Sequence, residues 1–327
     1  MSTGSKISIA MAVYNGERFI REQLDSLVRQ TRPPDELVVS DNASTDRTVE
    51  IVRDFAVRAP FPVRLFINDS NLGVSRNFER AMLKCAGEII FLCDCDDVWY
   101  PEKIRIMTDA LANSPHAAVA VCNADIVDAA LKPLGETVWN VYNFKAVRTD
   151  RAALERSQIL NPTIPAAANC LAIRAKTRDV VLPLPDSDQV LRGWFDRYLV
   201  WTAVLLGAGG ILLVDRALLA FRQHEHNTSG NATASVGVRL AALWKARHKR
   251  ALPIVPVLIE HLEKAETRRL PPSELRAALL QHWRTRYLLP KNRIARIPHI
   301  ANELFARRYH RFSSGIRTAV KDLIFVH

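Results

Sequence analysis

With 327 residues, 48% of them apolar and 24% charged, the chain has the profile of a soluble globular protein of one large or two modest domains, and it excludes a fibrous or disordered class. The formal net charge of +11 is unevenly distributed. Residues 235–327 contain 19 Lys and Arg against 6 Asp and Glu, whereas the first 234 residues contain 26 basic and 28 acidic residues. We therefore predict two parts, residues 1–230 and residues 231–327.

Neither a leader nor a membrane span is expected. The opening MSTGSKISIA lacks a basic segment followed by an apolar block. The longest uncharged apolar stretch, Leu199–Val214, is shorter than the ~18 residues of a credible span and is interrupted by three glycines. A buried helix followed by a buried strand is the better interpretation, and we expect a cytoplasmic protein.

The five cysteines also favour a reducing compartment. Their number is odd and none forms a C-x-x-C pair, which indicates reduced thiols. Cys93 and Cys95 flank Asp94, but a lone C-x-C without a second Cys or His pair is a weak zinc signal. Alternation along a strand explains this spacing better.

Strand-like and helix-like segments alternate through the first part. The strands are predicted at residues 7–14, 36–42, 63–68, 88–94 and 117–127. The helices between them carry apolar stripes, namely Ile20, Leu24, Leu27 and Val28; Val49, Val52, Phe55 and Ala56; and Val74, Phe78, Ala81, Met82 and Cys85. Asp46 is expected to cap the second helix, and Pro101 suits the first turn of the fourth. The pattern predicts an α/β fold with a doubly covered, largely parallel sheet.

Ligands of such sheets bind beyond the carboxyl ends of the strands. The residues expected along this rim are Tyr14, Asn15, Asp41, Asn42 and Asp94–Asp97. Neither GxGxxG nor GxxxxGK[ST] follows a predicted strand, which weakens dinucleotide and P-loop interpretations. An aromatic ring can stack on a base, an Asp or Asn can accept a hydrogen bond from it, and paired carboxylates can hold a metal-bound diphosphate. The rim thus predicts a site for a nucleoside diphosphate with Mg²⁺ or Mn²⁺, although each such residue alone is more often a turn residue.

Four blocks in order carry a resemblance to a known family: SIAMAVYNGERFIREQLDSLVRQT, ELVVSDNASTDRT, NDSNLGVSRNFERAM and IIFLCDCDDVW. They resemble the family 2 glycosyltransferases with a GT-A fold, in particular the rhamnosyltransferase-like branch. The resemblance extends over about residues 6–230. It implies a Rossmann-like, mostly parallel sheet flanked by helices, with a basic, mainly helical C-terminal region added here.

The resemblance also implies roles for individual residues. Tyr14 and Asp41 would contact the nucleoside base, and Asp94-Cys95-Asp96 would be the DxD motif. The full nucleotide-sugar set would be Tyr14, Asn15, Asp41, Asn42, Asn71, Arg76, Asn77, Asp94, Cys95 and Asp96. Asp97 extends the acidic cluster as it does in this branch. Two positions depart from the family pattern, Asn42 in place of an acidic residue and Ala43 in place of glycine, which we interpret as an altered nucleotide preference.

Two further blocks are similar to the acceptor side of the family. NPTIPAAANCLAIR (161–174) matches its acceptor-side strand, and residues 192–230 match the block that begins with the catalytic Asp and closes with Tyr-Arg-x-His, here Phe221-Arg222-Gln223-His224. On that match Asp196 is the general base. The diphosphate or acceptor side would be formed by Trp194, Arg222 and His224, and the metal ligands would be Asp96, Asp94 and His224.

Local sequence alone leaves the role of Asp196 open. An Asp at the start of an apolar helix is often only its N-cap. Aromatic neighbours at positions 194, 195 and 198 are expected to raise its pKa by desolvation, which suits a base.

The expected function is metal-dependent transfer, with inversion, of a sugar from a nucleoside-diphosphate sugar to a hydroxyl group of a glycan or lipid-linked acceptor. One rival class, the haloacid-dehalogenase-like phosphotransferases, also places DxD after an apolar strand, but normally after the first strand, whereas Asp94 follows the fourth. A catalytically silent binding subunit of a polysaccharide assembly complex would need Asp96 or Asp196 to be dispensable.

The basic C-terminal part is predicted to be mainly helical, with segments at residues 238–250 and 274–287. In HWRTRYLLPKNRIARI (282–297) basic residues alternate with apolar and aromatic ones, which suits an anionic membrane face. An anionic glycan, a homo-oligomer contact or a solvated bundle are alternatives. Binding of nucleic acid is not expected, since no such motif is visible.

Overall fold

The computed structural model describes residues 4–141, 167–186, 195–206, 209–225, 227, 260, 274–312 and 316–324. The described residues divide into two compact units, residues 4–227 and residues 260–324. The division thus falls between residues 227 and 260, and the boundary at residue 230 stays a prediction. We treat the two units separately.

Four parallel strands form one half of the sheet in the first unit. They are β1 (Ile7–Val13), β2 (Glu36–Asp41), β3 (Val63–Ile67) and β4 (Ile89–Asp94). β1 pairs in parallel with both β2 and β4, and β2 pairs in parallel with β3. Every residue of β1 is buried, as expected for a central strand of a sheet that is covered on both faces.

The other half of the sheet is mixed. It contains β5 (Val98–Trp99), β6 (Ala117–Val127), β7 (Pro133–Thr137), β8 (Leu171–Arg174) and β9 (Gly210–Arg222). β8 lies antiparallel between β4 and β6, and β9 runs parallel to β6. Across the described residues the strand order is β3-β2-β1-β4-β8-β6-β9-β5, with β7 paired to β6. The sheet is therefore largely parallel, as predicted.

Helices of the first unit follow the strands as the sequence pattern indicates. They are α1 (Ile20–Val28), α2 (Thr48–Arg58), α3 (Val74–Lys84), α4 (Lys103–Ala112), α5 (Val138–Val141), α6 (Ala175–Val181) and α7 (Phe195–Leu205). Asp46 accepts a hydrogen bond from the Thr48 backbone N–H (3.0 Å) and so caps α2. The apolar stretch Leu199–Val214 divides into a buried part of α7 and the start of β9, which confirms the interpretation as helix and strand.

Two members of the predicted apolar stripes are on the surface. Val28 and Val74 are exposed, whereas their partners Leu24 and Phe78 are buried. In α3 the inner face also takes polar residues, including Asn77 and Glu79. Periodicity alone assigned these positions wrongly, because Val28 ends α1 and Val74 begins α3, where the stripe no longer faces the sheet.

Four helices make up the described core of the second unit: α8 (Glu274–Tyr287), α9 (Arg293–Phe305), α10 (Arg308–Phe312) and α11 (Ile316–Ile324). The predicted helix at residues 274–287 is thereby confirmed, and the one predicted at 238–250 lies outside the described residues. A small apolar cluster of Ile300, Tyr309 and Ala319 lies between the helices. Among the helices described in the two units, none combines the length and the apolar character that crossing a membrane requires.

Candidate active site

Strand register brings three predicted residues to one edge of the sheet. Val13, the last residue of β1, pairs with Asp41 on β2, and Ala12 pairs with Asp94 on β4. Tyr14 directly follows β1 and is 48% exposed. The carboxyl ends of three neighbouring strands thus carry an aromatic ring between two carboxylates, as the strand order predicts.

The loop after β1 is fixed against the loop after β2. Asn15 has a left-handed backbone (φ 46°), its N–H donates to Ser44 Oγ (2.9 Å), and its Oδ1 accepts from the Thr45 N–H (2.8 Å). Ala43 is also left-handed, with φ 62°, a conformation that favours glycine. Ala43 therefore adopts, despite its Cβ, a backbone conformation that glycine takes more readily. Asn15 acts here as a link between the loops that frame the rim.

Asp41 has an unused acceptor at this edge. The side chain is buried, and Oδ1 accepts a hydrogen bond from the Ser44 N–H (2.9 Å). Oδ2 is buried as well and has no hydrogen-bond partner. Buried polar atoms of native proteins are nearly always satisfied, so a ligand group that donates to Asp41 Oδ2 would remove this cost.

Four asparagines form an amide network beneath the rim. Asn42 donates to Asn71 Oδ1 (2.7 Å) and accepts from Asn68 (3.1 Å), which also donates to Asn77 Oδ1 (3.0 Å). Asn77 in turn donates to the Val13 carbonyl oxygen (3.2 Å). Asn42 and Asn77 are buried, and these hydrogen bonds engage their amide groups with protein atoms. We interpret both as residues that position the strand ends.

Arg76 is engaged by protein groups on α3 and near residue 185. Its Nη1 donates to Glu79 (2.6 Å) and to the Leu184 carbonyl oxygen (3.0 Å), and its Nη2 pairs with Asp186. The side chain therefore ties α3 to the segment that precedes α7. A direct contact of Arg76 with the nucleotide sugar would require these pairs to break.

The acidic turn between β4 and β5 concentrates negative charge. Burial raises the pKa of Asp94 well above its ordinary value, and the charges of Asp96, Asp97 and Asp196 raise it further. Burial, followed by the Asp96 charge, raises the pKa of Asp97 to about 7. Cys95 lies between the two aspartates of the motif against Gly16, where a Cβ would come within 2.9 Å of its sulfur. A cation bound at this turn would stabilise its charges.

Arg222 holds this turn in place from the end of β9. Its backbone N–H donates to Asp97 Oδ1 (3.0 Å), and its Nε donates to the Asp96 carbonyl oxygen (2.7 Å). Nη1 donates to the Ala129 carbonyl oxygen (2.7 Å), and Nη2 pairs with Glu22. Because the guanidinium is buried in these contacts, we assign Arg222 a positioning role instead of the predicted contact with diphosphate or acceptor.

His224 contacts the second aspartate of the motif directly. Its Nε2 lies 2.9 Å from Asp96 Oδ2, and its ring packs against that of Phe19 with centroids 4.6 Å apart and the planes tilted by 33°. Phe221, the first residue of the Phe-Arg-Gln-His signature, lies on β9, three residues before His224 in the chain. Trp194, which was expected on the same side, lies outside the described residues.

The donor set is suited to a hard divalent cation but does not enclose one. Among the described residues, no group of three or more His, Cys, Asp or Glu side chains is arranged to hold a metal ion. The Asp96 carboxylate and the His224 imidazole lie within hydrogen-bond distance of each other (2.9 Å), and both are side-chain types that can ligate a divalent cation. Mg²⁺ commonly takes one or two protein carboxylates and completes its shell with substrate phosphates and water. An ion bound here would depend on the diphosphate.

A buried lysine next to the turn was missed by the sequence analysis. The Lys103 ammonium is buried, donates to the Asn169 carbonyl oxygen and lies 3.8 Å from the Trp99 ring centroid. Its positive charge counteracts the upward shift in the pKa of Asp94 and of Asp97. One signal was present: Lys103 begins α4, and a cation at a helix N-terminus is unfavourable unless a nearby anion compensates.

We expect Lys103→Met to destabilise the fold, because it removes one partner of a buried charge group. The free energy of unfolding should fall by about 3–5 kcal/mol, as for other broken buried pairs. Urea unfolding at pH 8 measures this change, and Lys84→Met, at an exposed position of α3, is the control. Equal unfolding midpoints for the two variants would contradict the compensating role.

Asp196 lies in the first turn of α7. Its Oδ1 accepts from the Arg197 backbone N–H (2.7 Å), and the adjacent Phe195 stacks on Phe78 of α3 with centroids 5.4 Å apart. Burial raises the pKa of Asp196 to about 6, as the aromatic neighbourhood predicted. Its charge also contributes to the raised pKa of Asp94, so the two carboxylates lie within electrostatic range of each other.

A comparison with known families decides which of the expected classes the chain belongs to. The model of glycosyl transferase family 2 matches residues 8–173, just over half of the chain. The chain belongs to glycosyl transferase family 2. The match includes the rim, the amide network and the acidic turn, and it argues against the phosphotransferase alternative. Asp196, Arg222 and His224 lie beyond the matched residues.

Among its relatives is the dTDP-rhamnosyl transferase RfbG of Shigella flexneri, 34% identical over 105 residues, which are 31% of this chain and 36% of RfbG. An uncharacterized protein of Mycobacterium bovis is 36% identical over 115 residues, 35% of this chain and 33% of its own length. The chain thus spans about a third of the length of these curated relatives. Their similarity supports membership of family 2.

Solved structures show the fold of this family 2 chain. Residues 1–349 of Staphylococcus aureus TarS, in complex with UDP-GlcNAc, match at 19% identity with a TM-score of 0.52 over 93% of this chain and 92% of theirs. The mannosyltransferase PcManGT of Pyrobaculum calidifontis, in complex with GDP-Man and Mn²⁺, matches at 18% identity with a TM-score of 0.52 over 99% and 88%. The fold is accordingly GT-A, as the sequence blocks indicated.

Proposed function

We propose that the protein is a metal-dependent inverting glycosyltransferase. It would move a sugar from a nucleoside-diphosphate sugar, of the dTDP-rhamnose or UDP-hexose type, to a hydroxyl group of a glycan or lipid-linked acceptor in cell-surface polysaccharide synthesis. The observation that carries the proposal is the meeting of Asp41 and Asp94 at one edge of a GT-A sheet, with Asp96 in the turn that follows and Asp196 within electrostatic range of Asp94. TarS with UDP-GlcNAc and PcManGT with GDP-Man support this donor class.

The nucleoside would occupy the edge formed by β1 and β2. Tyr14 presents an exposed ring on which a base can stack, and Asp41 Oδ2 is a buried acceptor without a partner. A base or ribose donor group would satisfy this oxygen. Asn15, Asn42, Asn71 and Asn77 would keep the strand ends in position through their amide and backbone contacts.

Asp94, Asp96 and His224 would hold a Mg²⁺ or Mn²⁺ ion together with the diphosphate. Bound there, the ion would neutralise charge on the departing phosphate. Other protein groups would keep the turn in position: Arg222 and Asp97 hold it by hydrogen bonds, and Lys103 offsets the negative charge of the turn while no ion is bound. The Mn²⁺ in the PcManGT complex supports a divalent cation.

Asp196 would act as the general base. Inversion requires the acceptor hydroxyl to approach the anomeric carbon from the side opposite the diphosphate, and a carboxylate within ~2.6–3.2 Å can take its proton as the bond forms. One carboxylate suffices for this step, unlike the acid and base pair of a hydrolase. Trp194 would lie beside the acceptor, two residues before Asp196 in the chain.

The pH dependence of transfer tests this role. The base works only when deprotonated, and the pKa of Asp196 is about 6. We expect kcat/KM to rise about tenfold per pH unit below pH 6 and to level off above it. The measurement is donor consumption at saturating Mn²⁺ across pH 4.5–8. A rate that does not change through pH 6 would exclude Asp196 as the base.

A further inference from the structure

Helix α9 buries charged residues and exposes large apolar ones. Its three buried positions are Arg296, Ile300 and Glu303, spaced four and three residues apart on one face. The opposite face carries Ile294 and Phe305, which are 75% and 91% exposed. Amphipathic helices normally bury the apolar stripe and expose the charged one. In α9, two charged residues are buried together with Ile300, whereas Ile294 and Phe305 are exposed to solvent.

The polar interior fixes this orientation. Arg296 donates to the carbonyl oxygens of Pro290 (2.5 Å) and Asp322 (2.9 Å). Glu303 accepts from His282 Nδ1 at 2.6 Å and from Arg308 Nε at 2.9 Å. Rotating α9 to bury Ile294 and Phe305 would break these hydrogen bonds and separate the buried His282 from Glu303. The unit therefore holds its apolar face outward.

Helix α11 repeats the pattern. Asp322 is buried, where it accepts from Arg286 Nε (2.6 Å) and from the Tyr309 hydroxyl (2.8 Å). Among the α11 residues whose exposure is described, the exposed ones recur every four residues and are apolar: Ile316, Val320 and Ile324. Two helices of one unit thus each present exposed apolar residues, and apolar surface that forms a contiguous patch marks an interaction site in a soluble protein.

Charge decides between the candidates for covering this face. Exposed Lys291 and Arg293 lie at the start of α9 and exposed Arg307 just after its end. Residues 235–327 carry a surplus of 13 positive charges. A second copy of the unit would bring like charges together, whereas an anionic lipid surface would attract the basic groups while it takes up the apolar side chains.

We propose that the outward faces of α9 and α11 dock the protein on an anionic membrane, with Ile294, Ile297 and Phe305 entering the lipid interface. This inference deepens the proposed function, because a lipid-linked acceptor would be met at such a surface. It does not depend on transfer, since the docking residues belong to the second unit and the donor site belongs to the first.

The test is flotation of the full chain with vesicles of phosphatidylcholine alone or mixed with phosphatidylglycerol. Wild type should float with the anionic vesicles only, and less at high salt. The double variant Ile297→Asp/Phe305→Asp should lose binding at least about tenfold, because it replaces two apolar side chains that would enter the lipid by carboxylates that an anionic surface repels. Val57→Asp, at an 86% exposed position of α2, is the matched control and should float like wild type.

Two further measurements keep the test decisive. Nucleotide binding and the urea midpoint of the double variant should equal those of wild type, which shows that a loss of flotation is not caused by unfolding. If either quantity differs, the single variant Ile294→Asp is tested in the same way. Sedimentation measures self-association. Wild type that does not float, variants that float equally, or a dimer that Phe305→Asp dissociates would each overturn the proposal. Failure of flotation with intact nucleotide binding leaves the glycosyltransferase proposal standing.

Discussion

Asp196→Asn should lower the rate of sugar transfer about 10²–10⁴-fold while donor binding stays unchanged, because a positioned general base contributes that much to a rate. The same variant should not lose stability at pH 8. The pKa of Asp196 in the fold is about 6 against an ordinary value of 3.8, so the fold favours the protonated form and the charged form costs stability above pH 6. Asparagine removes this charge.

We therefore expect the Asn variant to unfold at pH 8 with a free energy about 1–2 kcal/mol higher than wild type, and the gain to disappear by about pH 4, where wild type is neutral at this position as well. Transfer kinetics and urea unfolding at both pH values measure this. Asp215→Asn, at an exposed carboxylate of β9, is the control and should change neither quantity. A destabilised Asn variant that retains its activity would reduce Asp196 to a helix cap.

Asp96→Ala should abolish metal-dependent binding of the nucleoside diphosphate. Asp96 is one of the proposed ligands of the ion, and its Oδ2 lies 2.9 Å from Nε2 of His224, which is another of them; alanine removes the Asp96 carboxylate. We expect affinity in Mn²⁺ to fall at least about 100-fold, or about 2.7 kcal/mol, toward the level measured without metal. Isothermal titration calorimetry with and without Mn²⁺ measures both levels.

Asp69→Ala provides the matched control for this loss. Asp69 is exposed two residues after β3, at the same end of the sheet, so its removal changes the local charge but not the acidic turn. Its affinity should remain within about threefold of wild type, as expected of an exposed charge. Equal losses in the two variants would show that the effect is general electrostatics and not a metal ligand.

The fold was predictable to the extent that periodicity reports burial. The fully buried strand Ile7–Val13 and the stripe of Ile20, Leu24 and Leu27 were assigned correctly, because sheet and helix contacts recur at regular intervals. The two wrongly assigned residues, Val28 and Val74, lie at the end of one helix and the start of another, where the helix face no longer contacts the sheet. The antiparallel insertion of β8 between β4 and β6 has no local signal, since strand order depends on long-range packing.

The candidate site divides in the same way. The strand ends at Tyr14, Asp41 and Asp94 follow from the alternation of strands and helices. Partners from distant parts of the chain do not: Arg222 was expected at the diphosphate but is engaged with Glu22 and the turn. Lys103 carried only the weak signal of a cation at a helix start. Burial and pairing of polar groups, which sequence patterns do not report, decide between contact and positioning roles.

The central claim, a metal-dependent nucleotide-sugar site at the carboxyl edge of β1, β2 and β4, is tested most directly by calorimetric titration of the wild-type chain. The titrants are dTDP, UDP and GDP, each with Mn²⁺ and with a chelator. We predict that one of the three diphosphates binds, and only with the metal. Binding of none of them in the presence of Mn²⁺, by a protein shown to be folded, would contradict the glycosyltransferase proposal.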